Sequence, residues 1–202
     1  MINIEDIERY LPQYLSQGGK EELFRGLNDF PNVYDRMYTD YLKKEHYLFQ
    51  GDCIDNLNFI FYAGNSCIQA KGMLLSNTCD LSLENERITP INMSYVPVID
   101  LQKYSDMLLE KTKDKNKVDS YMKNIREQRI THLFYLPGHG ERQEAVAMLD
   151  HPCSFSDTSE VLKNISSRRI FTLSDLGFYL FLLKISIHFT RIRESVERHY
   201  CP

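Results

Sequence analysis

LLSNTCDLS, running from Leu74 to Ser82, is the stretch on which the reading of this chain turns. Two apolar residues with strand character lead straight into Ser76, Asn77, Thr78, Cys79 and Asp80. If the strand continues, alternation puts Cys79 on the face of Leu75, as a small buried residue, which cysteine thiols commonly are. Asp80 then accepts hydrogen bonds from N–H groups of the following turn. The competing reading makes Cys79 a nucleophile and Asp80 a base or anchor. A nucleophilic cysteine needs a base within hydrogen-bond reach, normally a histidine, and His132 in ITHLFYL is the histidine in a comparable strand-like context.

Upstream, HYLFQGD closes on Gly51-Asp52, and LNFIFYAGN and CIQAKGML follow as further β-type runs. Ala63-Gly64-Asn65 reads as a tight hairpin connection between those two. If the strand ends at Asp52 and Asp80 converge, two close carboxylates bind a divalent ion or share proton transfer. Downstream, ERITPINMSYVPVID, RITHLFYLPG and EAVAMLD continue the strand pattern, with Gly138-His139-Gly140 as a loop between the last two. Residues 46–150 therefore form one β-barrel-like core of short strands with close turns.

Residues 101–129 interrupt that core. Leu101, Tyr104 and Leu108, then Val118, Met122 and Ile125, recur at helical spacing on either side of KTKDKNK. This predicts an inserted helical hairpin joined at Asp114 to Asn116. It carries eight Lys or Arg against five acids, so Lys111, Lys113, Lys115, Lys117 and Lys123 are its candidates for nucleic-acid contact.

Residues 1–45 read as a helical N-terminal cap: Ile4, Ile7, Leu11 and Leu15 share a helical face, Glu21 to Leu27 starts a second helix, and VYDRMYTDYLKK a third. Residues 151–202 read as a loop followed by a long C-terminal helix packed on the core. Thr172 with Asp175 three residues on suggests a capping box, and Leu176 to Phe189 is apolar nearly all round, which predicts burial on more than one side. His188 and Arg191 share a face of that helix at i, i+3. The fold class expected is α+β: a small bent antiparallel sheet or SH3-like barrel, one domain overall.

The balance of 24 basic and 28 acidic side chains leaves a formal net charge of −4, which argues against a protein that coats nucleic acid with its whole surface. Five cysteines, an odd number without CxxC pairing, suit reduced thiols rather than a disulfide framework or zinc site. MINIEDIERYLPQYL lacks the basic and apolar regions of a signal peptide, and the apolar run Leu176 to Leu183 is too short to span a bilayer. The expectation is a cytoplasmic protein with no membrane partner. No Walker loop, dinucleotide fingerprint, HExxH or Gly-x-Ser-x-Gly is present, so neither a cofactor nor a bound metal is expected.

The succession LFQGD, MLLSNTCDL, RITHLFYLP and RRIFTLSDLGFYLFLLKISIHFTRI resembles a family of uncharacterised bacterial proteins found around prophages and defence islands. Taken with the acidic net charge and the lack of a convergent catalytic set, that resemblance implies an interaction or sensor module that acts with a larger effector protein or as a homo-oligomer, and the acidic charge makes nucleic acid a weak partner. More distantly, a Gly-Asp opening a strand and an apolar strand ending in Ser-Asn-Thr-Cys-Asp is similar to the SH3-like barrels of PemK/MazF growth-inhibitor toxins, which are ribonucleases. Asp52 matches the acid of their Gly-Asp and Ser76 their strand-end hydroxyl. The arginine those toxins carry shortly afterwards is missing, since CIDNLNFIFY contains no Arg or Lys. The expected function is thus a non-enzymatic module, with a toxin-like ribonuclease as the alternative.

Overall fold

The computed structural model describes residues 21, 25–26, 29, 32–61, 66–82, 84–85, 88–157 and 164–190. Its centre is an eight-stranded antiparallel sheet, so the chain is α+β. The strands are β1 (Tyr38–Thr39), β2 (Cys53–Phe61), β3 (Ser66–Leu74), β4 (Ile91–Asp100), β5 (Leu133–Leu136), β6 (Ala145–Met148), β7 (Cys153–Asp157) and β8 (Arg169–Leu173). Their order is β1-β8-β2-β3-β4-β6-β5, with β7 beside β4. The helices whose full extent is described are α1 (Thr78–Leu81), α2 (Leu101–Thr112), α3 (Lys115–Arg126) and α4 (Asp175–Thr190).

β4 is the spine. Its first half, Ile91 to Tyr95, pairs with β7, and its last residues, Val98 to Asp100, pair with β6, so β6 and β7 run in series down one edge. β3 occupies the other edge at Tyr95 to Pro97. The sheet curls until its two ends meet: the Tyr38 hydroxyl beside β8 donates to the Pro137 carbonyl just past β5, at 2.8 Å. Burial alternates along β4. Val96 and Val98 enter a core with Phe134, Leu136 and Phe181 of α4, while Met93 and Tyr95 enter a second core on the opposite face. Pairwise ring contacts (Phe134–Phe181 at 5.1 Å, Phe59–Tyr95 at 5.0 Å) fill these layers in the absence of tryptophan.

A β-bulge keeps β2 in register with both cores. Cys53 lies in the α4 core and Ile54 in the other. Strict alternation would send Leu57 and Phe59 to the side of Cys53. The register shifts between Ile54 and Leu57, with Asn56 at φ 59°, and that extra residue turns Leu57 and Phe59 to the face of Ile54.

The helical hairpin is observed, and its turn is tighter than the spacing suggests. Asp100 and Asp114 cap α2 and α3 by accepting from Lys103 N and Lys117 N at 3.1 Å each, and Lys113 takes the left-handed conformation at φ 54° between them. The hairpin packs on the sheet. Val118, Met122 and Ile125 close a third core against Leu133, Tyr135 and Val146, and Arg126 makes a bidentate pair with Glu144, both contacts 2.8 Å.

Other expectations change. HYLFQGD forms turns rather than a strand, and VYDRMYTDYLKK gives a single 3₁₀ turn, Tyr34–Arg36, and then β1. Tertiary pairing of Tyr38 with Leu173 and Thr39 with Thr172 outweighs helical propensity there. Two segments read as loop are strands, β7 and β8. Thr172 is therefore a buried strand residue, and the cap of α4 is Ser174, whose Oγ accepts from Gly177 N at 3.1 Å. Gly177 is required where it stands, because a Cβ would lie 2.2 Å from the Met37 carbonyl oxygen. Of the helix expected from Glu21, the described residues Glu21, Arg25, Gly26 and Asp29 are helical, whereas the helix expected through Ile4 to Leu15, the hairpin connection at Ala63-Gly64-Asn65, and Arg191 lie outside the described residues. α4 buries Leu176, Gly177, Leu180, Phe181 and Lys184, and its other faces are half-buried. Among the described residues, no helix is long and apolar enough to cross a membrane.

Two measurements check this packing. Ile125→Ala is expected to cost about 2–5 kcal/mol in chemical denaturation, as for a fully buried aliphatic side chain; a cost near zero would make the hairpin an appendage. Lys184, 6% exposed, donates to Gln128 O at 2.6 Å, and burial lowers its ammonium pKa from 10.5 to about 8. The unfolded chain then holds more protons than the folded one between pH 8 and pH 10.5, so this side chain makes stability rise with pH in that window. A Lys184→Met variant with the same pH slope as the wild type would disprove it.

Candidate functional site

The candidates read from sequence do not form one site. Asp52 is fully buried. Its Oδ2 accepts from Phe49 N at 2.9 Å and lies 2.8 Å from Arg169 Nε, an ionic contact off the hydrogen-bonding direction. Burial pushes this carboxyl above its usual range, opposed by the Phe49 N–H and the Arg169 guanidinium. The two strand ends do converge at the backbone, since Gly51 N donates to Leu74 O and Leu74 N to Asp52 O, both at 2.9 Å. Asp80 is not buried with Asp52 there, although Gln50 N donates to Thr78 Oγ1 at 3.0 Å. Asn77 caps α1 by accepting from Cys79 N at 2.9 Å, so β3 stops at Leu74 and Cys79 and Asp80 become exposed helix residues. Cys79 is thus not a core residue on the face of Leu75, because the Asn77 cap ends the alternation that placed it there. Ser76 Oγ is used by the backbone, accepting from Ser94 N at 2.8 Å.

His132 precedes β5 and its carbonyl accepts from Leu149 N at 2.8 Å, far from the Asn77–Leu81 turn in the sheet order. It comes instead into electrostatic range of His188. Burial lowers the His188 pKa, Asp150 counteracts this, and His132 and Lys184 add to the depression. The lysines Lys111, Lys113, Lys115, Lys117 and Lys123 are all exposed at or near the hairpin turn, where Lys117 pairs with Asp114 at 3.2 Å and Lys123 lies 4.0 Å from Glu127. Among the described residues, no three His, Cys, Asp or Glu are placed to hold a metal ion.

A cleft of about 670 Å³ lies elsewhere, beside β1 and β8, where the loop 40–46, the turn 139–142 and the residues before β8 come together. Its rim carries Lys43, Lys44, His46, His139 and Arg142, opposed by Asp40 and Glu45. No ion pair within 4 Å joins any of these charges among the described residues. Arg142 is held by rings rather than by a carboxylate: its guanidinium carbon sits 4.2 Å from the Tyr38 ring centre and 5.0 Å from that of Phe171. The turn that carries it is closed by reciprocal His139–Arg142 backbone bonds of 3.1 Å. Burial pushes the Tyr38 hydroxyl well above its ordinary pKa, with Arg142 pulling it back, so it stays protonated.

Arg169 builds the other wall. Its guanidinium donates to the carbonyls of Leu42 at 2.9 Å, Glu45 at 3.1 Å and Tyr47, and lies over Phe49 at 5.3 Å. One buried cation thereby fixes the loop that displays Lys43, Lys44 and His46. Its own charge is answered by Asp52, so the surplus positive charge of the cleft comes from Arg142 and the two lysines.

Sequence reading missed this cleft because its residues are far apart in the chain, and none belongs to a motif of fixed spacing. The only local signal was Lys43-Lys44 in a segment otherwise read as helix. Compared with protein-family models, curated proteins and solved structures, the chain has no match.

The Asp52–Arg169 pair behind the cleft wall that Arg169 forms gives a direct test. Asp52→Asn and Arg169→Gln each leave one buried group uncompensated and are expected to cost about 3–5 kcal/mol. The double variant should cost clearly less than the sum of the two, measured by urea denaturation. Strict additivity would show that the two side chains do not act as a pair.

Proposed function

We propose that this protein is a non-enzymatic binding module that takes a small anionic ligand in the cleft beside β1 and β8 and works with a larger protein partner. The observation that carries this reading is Arg142. Its guanidinium is held over Tyr38 and Phe171, with no carboxylate in ion-pair distance among the described residues, and faces the same space as Lys43 and Lys44. A cation positioned by rings keeps its fork of donors available to an incoming anion, whereas one paired with Asp or Glu does not.

The non-catalytic part of the reading rests on how the sequence candidates are used. Asp52 is committed to Arg169, and Ser76 is bonded to the β4 backbone. Cys79 and Asp80 sit exposed on α1, with His132 on another part of the sheet. A toxin-like ribonuclease built on Asp52 and Ser76 would need both groups at the surface. The partner, and the mobile-element or antiphage setting, follow from the resemblance of the LFQGD, MLLSNTCDL and RITHLFYLP segments and belong to this proposal as its wider context.

A titration with sodium sulfate followed by ¹⁵N amide shifts tests the site. Shifts are expected at His139 to Arg142, Leu42 to His46 and Ser166 to Thr172, and they should be lost in Arg142→Gln. Anion-dependent shifts confined to the lysines of the α2–α3 turn would place binding elsewhere. Cleavage of a single-stranded RNA that disappears in Asp52→Asn, with the fold retained, would replace the module by the nuclease.

A further inference from the structure

We infer that the ligand of this cleft is an organic phosphate monoester, its phosphate held by Arg142, Lys43 and Lys44 and its organic part lying along the apolar side of the cleft. This rests on the anion-binding reading above and names the class of ligand.

Three features select the phosphate. The first is the direction of the donors. Arg142 stands on the turn 139–142, Lys43 and Lys44 on the loop opposite, and Thr39, whose Oγ1 already accepts from Tyr41 N at 3.2 Å and so has its O–H left to give, on β1. Donors arriving from separate walls match a tetrahedral group with three terminal oxygens better than a planar carboxylate with two. The second is charge. Three cations against Asp40 and Glu45 leave a surplus near +1, counting the histidines as neutral. That surplus draws an anion into the cleft, and a phosphate monoester, carrying about −1.5 to −2 at pH 7, more than neutralises it. The third is readiness. Arg169 ties down the carbonyls of Leu42, Glu45 and Tyr47, so the lysines between them are presented on a braced loop and the ordering cost of binding is low.

The organic part follows from size. A space of about 670 Å³ falls within the range of sites that enclose whole small molecules, roughly 300–1,000 Å³, and a bare phosphate would leave most of it empty. Beyond the cations the wall is Tyr38, Ile170 and Phe171, with the His139 ring 5.8 Å from that of Tyr38. These side chains offer apolar contact but few partners for a second charged group. A polymer fits less well, because Asp40 and Glu45 at the rim and a net charge of −4 oppose an extended polyanion.

Isothermal titration of the full chain with inorganic phosphate, phenyl phosphate, ribose 5-phosphate, adenosine 5′-monophosphate, adenosine and citrate decides the matter. At least one of the three organic phosphates should bind about tenfold or more tightly than inorganic phosphate, adenosine and citrate. Arg142→Gln should weaken that binding at least about tenfold with an unchanged melting temperature, and Lys111→Glu on the distant hairpin should leave it intact. If Arg142→Gln melts early, Lys43→Gln with Lys44→Gln, on exposed side chains, replaces it with the same expectation. Citrate or sulfate binding without a gain for any organic phosphate would overturn this inference while leaving an anion site in place. Binding of no anion at all would overturn both, and tight binding of single-stranded RNA with none of the monomers would overturn the small-ligand assignment.

Discussion

The buried contact between Asp52 and Arg169 is the constraint on which the rest of this structure depends. Two ions removed from water cost several kcal/mol each unless their remaining bonding capacity is met. Here it is met only in part, and by backbone, since Asp52 Oδ1 and Arg169 Nε have no hydrogen-bond partner among the described residues. Asp52 takes the Phe49 N–H, and Arg169 gives its other N–H groups to three carbonyls of the 42–47 loop. The pair therefore joins the start of β2, the start of β8 and a loop without regular structure. Removing either charge strands the other and releases a loop that has little else to hold it.

The sheet supplies the setting in which that pair can be buried. The β2 bulge near Asn56 lets one strand serve two cores, with Cys53 on the α4 side and Leu57 and Phe59 on the other. β4 serves both faces by simple alternation and changes partner from β7 to β6 along its length. These devices curl the sheet and bring its ends close enough for Tyr38 to reach Pro137. The cleft forms at that junction, and Tyr38 belongs to both the closure and the cleft. Burial also pushes the neighbouring Cys53 thiol up to about 12, so it is a packing residue with no thiolate chemistry at neutral pH.

Arg142 shows how a surface cation is made ready for a ligand. A guanidinium over two rings gains attraction without losing its hydrogen-bond donors, whereas a carboxylate partner would occupy them. Arg126, on the hairpin side, is the contrasting case: both of its contacts to Glu144 are closed, and it braces α3 against β6. The exposed Arg126 and the half-buried Arg142 thus differ in what they can do because of their neighbours.

Elements whose signal is local were readable from the residues alone. The hairpin was legible because Leu101, Tyr104, Leu108, Val118, Met122 and Ile125 repeat at helical spacing, and the C-terminal helix because its apolar run is long. β3, β4, β5 and β6 were legible as short β-rich runs bounded by Gly, Pro and Asp. β7 and β8 were not, because CSFSD and RIFTL are too short and mixed to stand out, and become strands only through pairing with β4 and with β1 and β2. Cys79 was misplaced for a related reason: strand alternation extrapolates past Leu74, and only the Asn77 cap turns the chain into α1. Asp52 was singled out from the sequence as a site candidate, but the contact it makes is with Arg169, 117 positions later. The cleft was the least legible of all. Lys43, Lys44, His139 and Arg142 carry no spacing rule that links them, and it is the curl of the sheet, closed by long-range pairing and by one buried ion pair, that puts them around a common space.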